Sequence, residues 1–144
     1  MGELWLEIPQ LELELPIVGV PRVDNGWDVS WLWNQIGWLN GTAFPMQSGN
    51  SVLTGHVVDT NGSPGPFARL GSLKWGDEIS VHAFGQKYVY EVREIELVAP
   101  DAVSSVIRHE AYPWLTLITC QGYDESSDSY RYRLVVRAVQ VEIN

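Results

Sequence analysis

The sequence predicts an all-β domain, a closed eight-stranded antiparallel barrel with two or three short helices. Three observations carry that expectation. The chain has 144 residues, the size of one ordinary domain. Hydrophobic residues make up 45% and charged residues only 19%, with thirteen glycines and eight prolines as punctuation. That balance suits a compact β-rich core better than a helical bundle or a disordered tail. About eight apolar or β-branched runs, separated by turn residues, then argue for closure into a barrel.

Leu4-Trp5-Leu6-Glu7-Ile8 and Leu11-Glu12-Leu13-Glu14-Leu15 read as strands. The second alternates apolar and acidic residues at period two, the mark of a half-buried strand. Pro16 and Pro21 limit how this region can pair. Gly26 to Trp38 differs: Trp27, Trp31, Leu32, Ile36 and Leu39 fall at roughly helical spacing, with Asp28 or Ser30 as N-cap, so a short helix or turn is expected. Asn50 to Val58 is a β-branched run containing Gly55, and Phe67 to Leu70 forms a short helical turn. Glu78–Phe84 and Lys87–Val98 form a hairpin around Gly85-Gln86. Pro100-Asp101 starts a further helical piece. Trp114–Thr119 and Arg131–Ile143 are the last strands.

The net charge of −9, with no Lys/Arg cluster, disfavours nucleic acid as a partner, because an acidic surface repels phosphate. A single cysteine allows no internal disulfide. No run reaches the roughly 18 to 20 apolar residues that span a bilayer, and no signal-peptide pattern appears. The abrupt opening into a strand reads as a single domain, residues 1–144, trimmed of an N-terminal anchor.

Cys120 closes the run Thr116-Leu117-Ile118-Thr119-Cys120 and is followed by Gln-Gly. This places its sulfur at a strand end beside a loop, where a rigid sheet can aim a reactive group. A buried structural cysteine is the alternative. His56 follows Gly55, which permits close backbone approach; a structural histidine is again the alternative. His82 sits in an alternating strand and His109 in a polar stretch, both weaker contexts. Arg131, Arg133 and Arg137 share one strand face at period two, and surface arginines are their default reading.

Together these segments resemble the sortase family. Thr116-Leu117-Ile118-Thr119-Cys120 is similar to the family's TLxTC signature. Gly49–His56 resembles the segment carrying its histidine, and Arg133-Leu134-Val135-Val136-Arg137-Ala138 the strand carrying its arginine. Leu6-Glu7-Ile8-Pro9 and Leu15-Pro16-Ile17 resemble its first two strands. All four lie in family order. The resemblance implies a sortase-type barrel with Cys120 as nucleophile, His56 as acid/base and Arg133 as oxyanion or substrate clamp. Arg133 is preferred for the Leu-Val-Val-Arg-Ala that follows it, with Arg131 as runner-up.

The same resemblance implies a cysteine transpeptidase at the extracellular face of a bacterial membrane. Its partners would be the sorting-signal peptide of surface proteins and a cell-wall amine, with membrane contact only through an anchor absent from this chain. Thr54 and Thr119 would line the floor of the peptide groove, and the Gln121 N–H would supply a second oxyanion donor. The segment from Asp101 to Pro113 would form one wall, with Val103, Val106 and Ile107 either holding a substrate side chain or packing a short helix. Neighbouring cations would favour the thiolate.

Pilus-building members of the family often carry an Asp-Pro-Trp or Asp-Pro-Phe lid. Trp27-Asp28-Val29-Ser30-Trp31 contains no Asp-Pro, which disfavours pilin polymerisation. Trp27, Trp31, Trp33 and Trp38 read as core packing or as a contact surface for peptide or glycan. Asp59, Asp77, Glu78 and Asp124 show no calcium-ligand spacing, so no metal and no cofactor are expected. Two other readings stay open: a non-catalytic peptide- or glycan-binding module on the same barrel, and a hydrolytic cysteine peptidase.

Overall fold

A computed structural model describes residues 4–24, 26–58, 62–107, 110–124, 126–127 and 129–144, with the backbone alone at 104 and 121–124. In chain order the strands are β1 (Leu4–Ile8), β2 (Leu13–Val20), β3 (Arg22–Val23), β4 (Gly26–Trp27), β5 (Ile36–Leu39), β6 (Gly49–Thr54), β7 (Glu78–Ala83), β8 (Gln86–Val98), β9 (Pro113–Asp124) and β10 (Ser129–Ile143). Three short 3-10 turns complete the described elements, at Pro9–Leu11, Leu70–Ser72 and Pro100–Ser105.

Eight strands close into a barrel in the order β1-β2-β5-β6-β9-β10-β8-β7, and β1 pairs with β7 to seal it. Closure leaves no open sheet edge. The expected eight-stranded barrel is therefore present, with one difference. β2 pairs with β5, and β6 with β9, in parallel, so the sheet is mixed. Parallel neighbours need long crossover connections, and residues 21–35 and 55–112 supply them. The two-residue turn of the β7–β8 hairpin falls on Phe84-Gly85, one residue earlier than the spacing suggests.

The Gly26–Leu39 stretch is not helical. It forms consecutive turns, with Leu32 N–H donating to Val29 C=O and Gln35 N–H to Leu32 C=O, and then becomes β5. Its apolar spacing reflects anchoring at separate points instead of one helix face. Trp27 donates its indole N–H to Asn40 C=O, Trp38 packs on the barrel interior, and Leu32 is wholly buried. Trp31 and Trp33 stay exposed, so the tryptophans divide between packing and surface.

Alternation sorts the side chains into two cores. Leu115, Leu117, Leu134 and Val136 point into the barrel with Leu6, Ile8, Leu53, Phe67 and Tyr90. Ile118 and Val135 point outward into a second cluster with Val20, Leu32, Leu39, Val52 and Val106. Val106, considered above as a substrate contact, is 2% exposed within that cluster, and Ile107 packs against it. This matches packing of the Asp101–Pro113 segment onto the barrel, with Val106 too deep to meet a peptide without rearrangement.

Arg137 is the most unusual buried residue. It is 1% exposed and lies on the outward face of β10. It pairs with Glu94 and Glu110, reaches the Thr116 hydroxyl, and stacks on Trp114 with 4.5 Å between guanidinium and ring centre. Thr116 donates to Asn50 Oδ1, while Asn50 Nδ2 donates to Val106 C=O. One cation thus ties β6, β8, β9 and β10 to the segment before β9. Glu94 is half exposed and contributes little; the packing and the sheltered Glu110 pair carry most of the effect. Arg137→Ala should lower stability by about 3 kcal/mol, read as a lower urea midpoint with unchanged slope.

Candidate active site

Cys120 and Arg133 are direct partners across β9 and β10. Both lie on the outward face, because Ile118 two residues before Cys120 and Val135 two after Arg133 belong to the outer cluster. His56 lies two residues beyond the end of β6, which runs parallel beside β9 with Thr54 opposite Ile118. The three residues line one cleft of about 210 Å³ with Val29, Thr54, Thr119, Tyr130 and others. Larger hollows of about 460 and 480 Å³ open elsewhere, but neither contains Cys120.

Thr54 Oγ1 donates to Ile118 C=O and Thr119 Oγ1 to Gly55 C=O. These two bonds stitch the end of β6 to the end of β9, fixing the His56 segment relative to Cys120. The expected floor residues are therefore clamps as well as lining. Gly55 packs its backbone against Phe67 and Ile36, where a Cβ would come within about 3.1 Å of each side chain. Gly65, which the sequence reading missed, is tighter still. A Cβ there would lie 2.5 Å from the His56 carbonyl oxygen. That same oxygen accepts the Phe67 N–H, and Gly65 donates to Val57 C=O. A 64–67 turn thus cradles the backbone of His56, a contact between positions with no local sequence signal.

The His56 ring is also held. Its Nε2 lies 2.8 Å from the Val29 carbonyl oxygen, in the tryptophan-rich segment. Arg133 donates to the Tyr132 carbonyl. Arg131, the runner-up, is exposed and not among the residues lining the cleft, although its parity places it on the same face. Tyr130 lines the cleft without having been anticipated. The Gln121 backbone pairs with Tyr132. His82 is occupied elsewhere: it stacks on Trp5 at 3.7 Å and bonds Glu7 at 2.7 Å. His109 and Asp59 lie outside the described residues, as does the Asp124 side chain. Among the described residues no group of three His, Cys, Asp or Glu could hold a metal.

Burial pushes the Cys120 thiol up, and the Arg133 guanidinium draws it back only in part. The expected cationic pull toward the thiolate is present at Arg133 but meets an opposing and larger effect. Removing water from sulfur penalises its charged form more than one guanidinium favours it. The neutral form of the sulfur is therefore favoured relative to an ordinary thiol.

A closed mixed barrel carrying Cys, His and Arg around one outer-face cleft is the kind of site a cysteine nucleophile would need. Comparison with known proteins makes the assignment specific. The Sortase domain family model matches residues 6–141. The chain is 31% identical over 118 residues to Sortase D of Bacillus subtilis (strain 168), covering 82% of this chain and 54% of that protein. It is 29% identical over 130 residues to Sortase A of Bacillus anthracis, covering 87% and 55% respectively. Among solved structures it resembles sortase C-1 from Actinomyces oris, with TM-score 0.78 and 32% identity over 96% of this chain and 73% of that one. The chain belongs to the sortase family. It spans about half the length of the curated relatives it matches. Relatives named A, C and D match at similar levels, so similarity does not favour one of these.

Two measurements test this geometry. Alkylation of Cys120 by iodoacetamide follows the thiolate fraction, so its rate should keep climbing above the ordinary thiol range near pH 8.5. Arg133→Gln should move that profile further upward and slow alkylation at fixed pH by roughly three- to ten-fold. Gly65→Ala should lower turnover by about ten-fold or more through displacement of His56, while the melting temperature falls by only a few degrees, about 1–2 kcal/mol.

Proposed function

We propose that this domain is a transpeptidase that cleaves a C-terminal sorting signal of surface proteins and transfers the acyl group to a cell-wall amine at the bacterial cell envelope. The observation that carries this reading is the direct cross-strand pairing of Cys120 with Arg133, in one cleft with His56, on a sortase barrel.

The thiolate attacks the scissile carbonyl and forms a covalent intermediate, dividing one difficult displacement into two easier ones. Arg133, always charged, donates to the oxygen as it gains negative charge. The Gln121 N–H is a second donor in this proposal. His56 protonates the departing amine, and a thioester remains on Cys120. The incoming amine returns its proton to His56 as it displaces the thiolate. The competent pair in this proposal is the thiolate of Cys120 with the imidazolium of His56. A partly buried cleft slows water relative to a bound amine, which favours transfer over hydrolysis.

A peptide-library cleavage screen with mass-spectrometric readout, with and without added amine, tests the reading. Wild-type protein should yield cleaved acyl products and, with amine, joined ones. Cys120→Ala should yield neither, with its melting temperature within about 2 °C of wild type. Cleavage products that never incorporate amine would assign the domain as a peptidase. An unreactive Cys120, indifferent to His56→Ala, would assign it as a binding module.

A further inference from the structure

The tryptophan-rich segment between β2 and β5 takes no part in the chemistry above, yet its backbone touches the acid/base. We propose that the carbonyl of Val29 is the positioning group for His56, holding the proton on Nε2 and leaving Nδ1 as the atom that gives and takes protons. The inference rests on His56 being the acid/base.

A peptide carbonyl can only accept a hydrogen bond, so the 2.8 Å contact requires a hydrogen on Nε2. In the neutral ring the second nitrogen is then bare. The acceptor on one ring nitrogen sets the tautomer at the other, the role a carboxylate or amide side chain takes in other histidine sites. Here no such side chain is needed.

The carbonyl is itself fixed. Val29 C=O also accepts the N–H of Leu32, closing a turn, and so uses both lone pairs. Leu32 is wholly buried in the outer core with Ile118 and Val135. Those residues lie two positions from Cys120 and Arg133 on the same faces. On the exposed side, Asp28 accepts both the N–H and the hydroxyl of Ser30, and these bonds hold its carboxyl below the usual range. Trp27 anchors the start of the turn through its bond to Asn40. The segment is thus a rigid bracket bolted to the core under the nucleophile.

The proton bookkeeping follows. As the peptide C–N bond breaks and the C–S bond forms, imidazolium passes its Nδ1 proton to the departing amine and keeps Nε2–H on Val29. As the new C–N bond forms and C–S breaks, the incoming amine returns a proton to Nδ1. Thiolate and imidazolium are restored.

The test is a long-range proton–nitrogen NMR spectrum of histidine-labelled protein at about pH 8.5, above the ordinary imidazole range, with His56 assigned by His56→Gln. The expected pattern is protonated Nε2 and pyridine-type Nδ1. Leu32→Ala, which loosens the bracket, should blur that pattern toward tautomer averaging. It should also lower kcat about ten-fold with KM little changed and Cys120 still alkylated. Asp28→Ala, at an exposed position outside the core, should act in the same direction more weakly and decides the matter if Leu32→Ala fails to fold. A protonated Nδ1 in the wild-type protein overturns the inference, and so do variants that fold yet leave tautomer and kcat unchanged. The spectrum needs no substrate, so its outcome is independent of whether Cys120→Ala abolishes transfer.

Discussion

Cys120 faces Arg133 because β9 and β10 are held in one register. A slip of one residue would turn the sulfur into the barrel and bring Tyr132 or Leu134 opposite it, since successive strand residues face opposite ways. The register is secured on both faces at once. Inside, Leu115, Leu117, Leu134 and Val136 fill the barrel. Outside, Arg137 is set among Trp114, Thr116 and Glu110, a nest that only a cation in that position satisfies. The buried arginine is thus a register lock four residues from the arginine in the cleft. Its cost in desolvation is balanced by specificity, the best-attested use of buried polar networks.

The cleft embodies a conflict between two requirements. The proposed thioester would need shelter from water, and shelter raises the thiol. Arg133 relieves this in part and, in the proposed reaction, would also meet the carbonyl oxygen. A stronger cationic surround would give more thiolate, but it would also open the sulfur to oxidation and stray electrophiles.

Much of this was legible in the sequence where the information is local. The strand Thr116–Cys120, the parity of Arg133 and the glycine before His56 each report on their own surroundings, and the barrel follows from counting such strands. What escaped was set by distant contacts. The Trp27–Leu39 spacing mimics a helix because its anchors go to different partners: Trp27 to Asn40, Leu32 to the outer core and Trp38 to the interior. The parallel pairings depend on crossovers that no local pattern marks. Gly65 matters only because residue 56 folds back against it. Val106 is apolar whether it meets a substrate or a core, and only packing distinguishes them. Arg131 and Arg133 are equivalent by parity, and the cleft separates them because it is lined by Arg133 while Arg131 is exposed.

The outer core explains why those distant contacts matter to the chemistry. It joins Leu32 beneath the Val29 turn, Val106 from the segment before β9, and Ile118 and Val135 below Cys120 and Arg133. Protein cores are close-packed and transmit displacement instead of absorbing it. The group that orients His56 and the segment beside the groove therefore share one set of neighbours with Cys120. Val103 and Ile107 are only partly buried and pack against the same cluster as Val106, so a displacement on that side is carried to the strands that hold Cys120. In the proposed reaction, substrate binding and alignment of His56 would then be mechanically one event, with the second core as the part of the fold that couples them.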